Sequence, residues 1–269
     1  EAACTAAEVG CNTFLLEKGN ELGGLASLIS KIPAKNRLAD FPHYLMHRAE
    51  QLDNLYIFKN TEGTPENIRK FHPNIIVSST GSAPLLPPIA GLKDRIDNEN
   101  HNIYSILGMI SHINDFPKDL EGKKVVVVGG GAVGLDVVEF FADRNADISI
   151  VEMMDQIGRD LDPVSKNDTK TMMKKHNVHQ LTKTALLEVK DSSFLVRGDG
   201  EPYELPFEYG FVCLGMRAQG QLYQNLTEEF SSEDVEIMNI GDSQRARRII
   251  DGTQEGRNIL TILEQKGYF

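Results

Sequence analysis

The sequence predicts an α/β fold made of two lobes, each a mainly parallel sheet covered by helices, with the second lobe inserted into the first. Strand-like apolar segments alternate with helical segments along most of the chain, the pattern of parallel sheets. Two of these strand segments, residues 12–17 and 147–152, end on glutamate. A proline-rich stretch, residues 84–88, must be extended and therefore suits a crossover that leaves one lobe for the other.

Length and composition favour a soluble protein of one or two domains that binds small molecules or other proteins. The chain has 269 residues, of which 41% are hydrophobic and 25% charged, as in packed globular proteins. Its formal net charge of −11 argues against nucleic acid or anionic lipid as a partner, because both require clustered Lys and Arg.

Cysteine usage and hydropathy predict a cytoplasmic protein that does not enter a membrane. Cys4, Cys11 and Cys213 are odd in number and far apart, so a disulfide framework is not expected. No apolar run approaches the roughly 18 residues of a membrane span. His43 and His47 are spaced like metal ligands but lack a third ligand nearby, and we predict no metal site.

The first lobe is expected to begin with an incomplete unit. Residues 1–10 resemble the middle and end of an alanine-rich helix closed by a glycine, so we expect a preceding segment of the domain to be missing. Residues 12–17 (NTFLLE) predict a buried parallel strand. The remaining segments of this lobe are a helix within residues 37–52, strands at 55–58 and 71–81, and a polar, weakly helical stretch at 98–119.

The second lobe is expected to begin at a strand of valines, residues 123–128. The segments that follow are a helix at 132–144, a strand at 147–152, a helix at 164–176, β segments at 181–189 and 194–196, and a strand at 211–215. An apolar run at 235–240 and a terminal helix at 248–263 return to the first lobe. The predicted domains are therefore residues 1–118 with 225–269, and residues 119–224.

A glycine-rich turn between the first strand and helix of the second lobe predicts a dinucleotide site. In VVVVGGGAVG, residues 125–134, Gly129, Gly131 and Gly134 have G-x-G-x-x-G spacing. The first glycine permits the tight turn, the second lets a pyrophosphate approach, and the third lets the helix pack on the strand. The phosphates would bind at the helix N-terminus. The loop residues expected to contact the nucleotide are Gly129, Gly130, Gly131, Ala132, Val133 and Gly134.

Glu152 gives the turn its context, since a carboxylate at the end of the second strand is placed to bind a ribose 2′-hydroxyl. It would repel a 2′-phosphate, and neither Met153 nor Met154 supplies a cation, so NAD(H) is favoured over NADP(H). The alternative is a structural turn without a ligand, because glycine-rich turns are common. Glu17, at the end of the earlier strand, is open to two interpretations, a second ribose-binding residue or an ordinary strand-end carboxylate.

Several short motifs in order resemble the FAD- and NAD-binding C-terminal region of NADH:flavin oxidoreductases of the 2,4-dienoyl-CoA reductase and 2-enoate reductase type. The resemblance covers nearly the whole chain. It implies two Rossmann-like dinucleotide-binding lobes. The matching segments are Glu17-Lys18 with Gly23-Gly24, Thr80-Gly81 after Ser79, Leu214-Gly215, and Ile240-Gly241-Asp242.

The resemblance implies FAD at the first lobe and NAD(H) at the second. The FAD contacts would be Glu17, Lys18, Gly23, Gly24, Thr80, Gly81, Gly241 and Asp242, and Gly215 would join the NAD site. Hydride transfer between nicotinamide and flavin needs stacking rather than an acid or base, so no catalytic residue is assigned. FMN and a 4Fe–4S cluster are expected only in an N-terminal barrel that this chain lacks, which would be its partner, alongside a possible homo-oligomer.

Departures from the family pattern leave a second function open. The first G-x-G-x-x-G, expected just before Glu1, is absent, Ser79 replaces an alanine, and Asp136 replaces a glutamate. Arg245, Arg247 and Arg248 beside the G-D turn either bind phosphate or are solvated. The chain is therefore expected to be an NADH-oxidising module of a larger reductase, or else a non-catalytic NAD-binding fragment with an empty, incomplete FAD site.

Overall fold

The structure is a computed structural model that describes residues 1–268. Its helices are α1 (Ala2–Glu8), α2 (Gly24–Ile29), α3 (Asp40–Ala49), α4 (Pro65–Arg69), α5 (Leu92–Arg95), α6 (Ile106–Ser111), α7 (Ala132–Ala142), α8 (Pro163–Lys175), α9 (Gln221–Glu229) and α10 (Ile249–Gln265), with 3₁₀ turns at Pro33–Ala39 and Gly241–Ser243.

The strands run mainly in parallel. In chain order they are β1 (Thr13–Leu16), β2 (Leu55–Phe58), β3 (Ile75–Ser78), β4 (Ser82–Pro84), β5 (Ile103–Tyr104), β6 (Lys124–Val128), β7 (Asp147–Val151), β8 (His179–Leu181), β9 (Ala185–Val189), β10 (Ser193–Arg197), β11 (Tyr203–Pro206), β12 (Tyr209–Val212), β13 (Met216–Ala218) and β14 (Glu236–Asn239). The predicted α/β class is confirmed.

The chain divides into two compact units. Unit 1 comprises Glu1–Lys31, Lys35–Ala83 and the chain from Arg217 onward, and unit 2 comprises Ile32–Ala34 and Pro84–Met216. Unit 2 is thus inserted in sequence into unit 1. The divisions in the structure fall after residues 83 and 216, whereas the sequence predicts them after residues 118 and 224.

The first division falls earlier than predicted because residues 84–118 contribute buried side chains and a strand to unit 2. Leu92 and Ile103 are fully buried in the same cluster as Val126 and Val128, and β5 pairs in parallel with β12. The sequence predicts a polar, weakly helical stretch at residues 98–119. The helix is present at Ile106–Ser111, but the stretch also contains the strand Ile103–Tyr104, and the predicted polar character is wrong because the helix buries apolar side chains.

Unit 2 is built on a five-stranded sheet in the order β5-β12-β6-β7-β8, parallel throughout. Helix α7 packs on β6 and β7. Alternate side chains of the sheet, including Val126, Val128 and Val151, pack against Phe194 and Val196 of the antiparallel sheet β11-β10-β9. Because the strands are parallel, their carboxyl ends lie at the same edge of the sheet. The loops that follow these strands therefore lie close together.

Unit 1 contains two separate parallel pairs, β1 with β2 and β3 with β14. Among residues 1–268 no strand joins them, whereas in unit 2 the strand β6 lies between β7 and β12. Helix α10 packs closely against α1. The two helices are so close that a Cβ at Gly256 would lie only 3.1 Å from the Ala2 nitrogen.

The first strand pair of unit 1 is packed on one face and exposed on the other. Leu15, Leu55 and Ile57 pack against residues of α1 and α3. On the opposite face Phe14 is 39% exposed and Tyr56 46% exposed, and their rings stack. The predicted strand at residues 12–17 is therefore present and parallel, but the prediction that it is buried is wrong, since one of its faces is exposed.

The length and hydropathy of a helix decide whether it can cross a membrane. Within residues 1–268, none of the helices combines the length and the apolar character that crossing a bilayer requires.

Candidate functional site

The turn from β6 into α7 requires glycine at two positions, one before the helix and one in its first turn. Gly129 has φ of 109°, and a Cβ there would lie 2.1 Å from the Cys213 carbonyl oxygen. A Cβ at Gly134 would lie 1.9 Å from the Gly129 carbonyl oxygen. The strand, the turn and the helix therefore approach one another more closely than any side chain allows.

Gly131 differs from these two glycines because it faces open space. It is exposed, has an extended backbone with φ of −79°, and is the N-cap residue of α7. A Cβ there would meet nothing within 4 Å. No side chain caps the eleven-residue helix, so its first N–H groups, near Ala132 and Val133, remain available to an anion. This is the arrangement that a pyrophosphate requires.

Glu152 lies at the end of β7 with its carboxylate against the glycine loop. Its Oε2 accepts a hydrogen bond of 2.6 Å from the Gly130 N–H, and its Oε1 accepts one of 2.7 Å from the Met154 N–H. A Cβ at Gly130 would lie 3.0 Å from Oε2. The structure thus gives the middle glycine a role that the sequence motif leaves unassigned, namely to admit the glutamate.

Gly215 lies beside the same loop, two residues after the Cys213 carbonyl that faces Gly129. It has φ of 99°, is exposed, and has open space around its Cβ position. Burial, together with the negative charges of Asp136 and Asp97, raises the pKa of the Cys213 thiol to about 12. The thiol is therefore neutral and has a structural role. The predicted nucleotide residues of unit 2 lie together at the carboxyl ends of β6, β7 and β12.

In unit 1, Glu17 forms a turn like that of Glu152. Its Oε1 accepts a hydrogen bond of 2.6 Å from the Gly19 N–H, two residues on. Lys18 follows and is exposed. Gly23 and Gly24 both have positive φ, 102° and 50°, at the start of α2, so the double glycine serves the local turn.

A second group of predicted residues gathers around the 3₁₀ turn after β14. The Ser82 hydroxyl donates to Asp242 Oδ2 at 3.0 Å, and the Gly241 N–H donates to Glu255 Oε2 at 2.6 Å. The Arg247 N–H donates to Asp242 Oδ1 at 2.9 Å. Ser82 is a neighbour that the sequence motif does not single out, since its contact with Asp242 spans 160 residues. Arg247 and Glu255 follow the turn closely in sequence.

Thr80 and Gly81 are joined to a different segment of the same unit. The Thr80 hydroxyl donates to the Gln219 carbonyl oxygen at 2.6 Å, and the Gln219 N–H donates to the Gly81 carbonyl oxygen at 2.9 Å. Gly81 has φ of 75° and open space at its Cβ position. Among the hydrogen bonds of the described residues, none connects Glu17 with this group.

The three arginines near Asp242 are not equivalent. Arg247 pairs with Glu255 through Nη2 and Oε1 at 2.5 Å, and the more exposed Arg248 lies 3.6 Å from Asp251. Arg245 is exposed. Two of the three candidate phosphate ligands are therefore engaged by carboxylates.

The residues of unit 2 fit a dinucleotide, because the loop combines an open cradle at Gly131, a free helix N-terminus and a strand-end carboxylate. Those of unit 1 fit only part of one, since a strand-end carboxylate and an open Gly81 are present without a glycine loop between them among residues 1–268. In the described part of the chain, no group of three His, Cys, Asp or Glu side chains is arranged to hold a metal ion.

A parallel sheet with a glycine cradle and a carboxylate at the adjoining strand end defines a dinucleotide-binding protein. The family model of the pyridine nucleotide-disulphide oxidoreductases matches residues 44–238, and the chain belongs to this family. Its membership implies FAD and NAD(H) as cofactors.

Curated relatives are longer proteins. The chain is 26% identical over 257 residues to an NADH oxidase of Thermoanaerobacter brockii, an alignment that covers 95% of this chain and 38% of the relative. It is also 26% identical to a metal reductase of Desulforamulus reducens, with coverage of 96% and 41%. The chain thus spans about two fifths of the length of these relatives.

Solved structures confirm the fold. A 2-naphthoyl-CoA reductase superimposes with a TM-score of 0.80 at 22% identity, covering 96% of this chain and 37% of that one. Histamine dehydrogenase from Rhizobium sp. 4-9 gives the same TM-score at 16% identity, with coverage of 96% and 39%. The two structures show the shared fold, and the family match confirms the predicted relation to flavoproteins that use a pyridine nucleotide.

Proposed function

We propose that the chain is an NADH-oxidising flavoprotein module in which hydride passes from NADH to FAD. The observation that carries the proposal is the geometry of Gly129, Gly131 and Glu152, which together leave one open path to a helix N-terminus and place one carboxylate beside it. Family membership supports the pairing of a pyridine nucleotide with a flavin.

The side chains of this module bind and orient rather than exchange protons. In the proposal, the pyrophosphate of NADH lies over Gly131 and the first turn of α7, and Glu152 accepts the hydroxyls of the adenosine ribose. Thr80, Gly81 and Asp242 contribute to the flavin site of unit 1, with Glu17 at its adenosine end. Bound FAD supplies the hydride acceptor, and no catalytic acid or base is required.

We further propose that the module belongs to a larger reductase of the enoate or dienoyl-CoA type. A cinnamate reductase of Clostridium sporogenes is 22% identical over 194 residues, and its name denotes reduction of an activated alkene. FMN, a 4Fe–4S cluster and the substrate site would then lie in a barrel domain outside these 269 residues. That domain would receive the electrons that NADH delivers here.

The test is to purify the chain, add FAD, remove unbound flavin and titrate with NADH without oxygen. The proposal predicts a retained flavin spectrum whose absorption near its visible maximum bleaches on addition of NADH. A retained flavin that NADH does not bleach would overturn the hydride-transfer step.

A second candidate, an NAD-binding module without catalysis, is favoured by the split sheet of unit 1. Because β1–β2 and β3–β14 form separate pairs, the described residues of unit 1 include no counterpart of the strand and loop that would hold the pyrophosphate in unit 2. This candidate predicts NADH binding with no retained flavin. The same purification separates the two functions, since one predicts bound flavin and the other does not.

A further inference from the structure

We infer that Lys183 is a coenzyme-specificity residue, whose ammonium group binds the 2′-phosphate of NADPH and so allows the NADH site to accept NADPH as well. The inference rests on the proposed nucleotide site at Glu152. It concerns a residue that lies 31 positions away in sequence (183 − 152) and outside the glycine motif.

The backbone brings Lys183 to the ribose end of the site. The Glu152 N–H donates to the Leu181 carbonyl oxygen at 2.9 Å, the Lys183 N–H donates to the Met154 carbonyl oxygen at 2.9 Å, and the Thr184 N–H donates to the Glu152 carbonyl oxygen at 3.0 Å. The turn after β8 is therefore bonded directly to the residues that follow β7. Lys183 lies opposite the segment on which a ribose 2′-substituent would rest.

The side chain of Lys183 is available for this role. Residue 183 is exposed and has φ of 50°, a conformation set by the tight turn. Among the hydrogen bonds and ion pairs of residues 1–268, none involves its ammonium group. An extended lysine places its charge about 6 Å from Cα, far enough to pass Met154 and meet a phosphate beside Glu152.

The carboxylate of Glu152 does not by itself decide the discrimination. Both of its oxygens accept backbone N–H groups, from Gly130 and Met154, which offset part of its negative charge. It still disfavours a 2′-phosphate. A lysine on the neighbouring turn opposes that repulsion, so the preference for NADH over NADPH is smaller than Glu152 alone would impose.

The test compares the dissociation constants of NADH and NADPH, which differ only in the 2′-phosphate, by calorimetry on the full chain. Lys183→Gln keeps the length of the side chain and removes its charge. Lys175→Gln is the matched control, because Lys175 is also exposed but lies at the end of α8. There the chain enters β8 at its amino end, away from the carboxyl ends where the nucleotide loop lies.

We expect Lys183→Gln to raise the ratio Kd(NADPH)/Kd(NADH) about fivefold, the size of one exposed charge contact, with Kd(NADH) nearly unchanged. The control variant should leave the ratio as it is. An unmoved ratio in Lys183→Gln, or an equal change for both coenzymes, would overturn the inference while leaving the NAD site intact. If neither coenzyme binds the unaltered chain, the proposed function itself fails.

Discussion

The carboxylate of Glu152 holds the Gly130 N–H at 2.6 Å, so the end of β7 is tied directly to the turn after β6. The same carboxylate is the group proposed to bind ribose and to repel a 2′-phosphate. In the proposed site, one side chain thus shapes the glycine loop and also discriminates between the coenzymes. Among the hydrogen bonds of residues 1–268, the corresponding Glu17 carboxylate makes a local one alone, with the Gly19 N–H.

Replacement of Glu152 by alanine should destabilise unit 2. Gly130 is buried, and without the carboxylate its N–H would lose a charged acceptor, a loss worth about 1–3 kcal/mol. Urea unfolding followed by circular dichroism measures this change in the free energy of unfolding. Glu201→Ala, at an exposed glutamate between β10 and β11, should change it by less than about 0.5 kcal/mol. Equal effects of the two substitutions would show that the bond to Gly130 contributes nothing.

The Cys213 thiol should be inert in the folded protein. Its side chain is buried, and its pKa is raised from 9.0 to about 12, first by burial and then by the charges of Asp136 and Asp97. Because the reactive species is the thiolate, Ellman's reagent at pH 8 should modify Cys213 only after denaturation. Mass spectrometry of the labelled peptides identifies the modified residue.

The raised pKa of Cys213 also determines the pH range over which the free energy of unfolding should fall. Below pH 9 the Cys213 thiol is protonated in the folded and unfolded states alike, and its contribution is complete. As the pH rises from 9 toward 12, only the unfolded thiol ionises, and stability is lost. Cys213→Ala should therefore show a shallower alkaline loss than the unaltered chain, and an identical pH profile would contradict the assignment.

The ion pairs of Arg48 should contribute strongly to the stability of unit 1. Its guanidinium donates to Glu8 Oε2 at 2.6 Å and to Glu1 Oε1 at 2.9 Å, linking α3 to α1, with only 12% of its side chain exposed. Arg48→Met should lower the free energy of unfolding by about 1.5–3 kcal/mol, because it removes charge-assisted hydrogen bonds to two carboxylates. Arg37→Met removes an exposed pair with Asp40 and should cost less than about 1 kcal/mol.

The pH dependence of the same variant provides a second readout. The hydrogen bond from Arg48 lowers the pKa of the Glu8 carboxyl below 4.5 against the opposing effect of burial. This contribution is present above pH 4.5 and is lost as the pH falls through the folded-state pKa. Arg48→Met should therefore lose less stability on acidification than the unaltered chain. If the two lose the same amount, the pairing with Glu8 does not stabilise the fold.

The sequence predicts most strands of unit 2 and the glycine loop because local patterns encode them. Four valines and three spaced glycines specify β6, the turn and α7 within ten residues. It does not predict β5 or α9, since a two-residue strand exists only through its pairing with β12 and a mixed helix only through packing of Leu226 on Ile76.

Site contacts that depend on distant pairing were equally hidden from the sequence. The bond from Gly130 to Glu152 and the approach of Lys183 to Met154 both arise from the order of β6, β7 and β8. Motif spacing indicates that Glu152 contacts a ribose, but it does not indicate which backbone groups hold the carboxylate. Likewise, Ser82 becomes a partner of Asp242 only once β3 and β14 have paired.

The binding of NADH to variants of the glycine loop tests the central claim most directly. Gly131 and Gly200 are both exposed, and a Cβ at either position meets nothing within 4 Å, so alanine at either position should leave the fold unchanged. Titration calorimetry should show that Gly131→Ala weakens NADH binding at least tenfold, because the methyl group occupies the path of the pyrophosphate, while Gly200→Ala binds like the unaltered chain. NADH binding of equal strength in all three proteins would contradict the assignment of this loop as the nucleotide site.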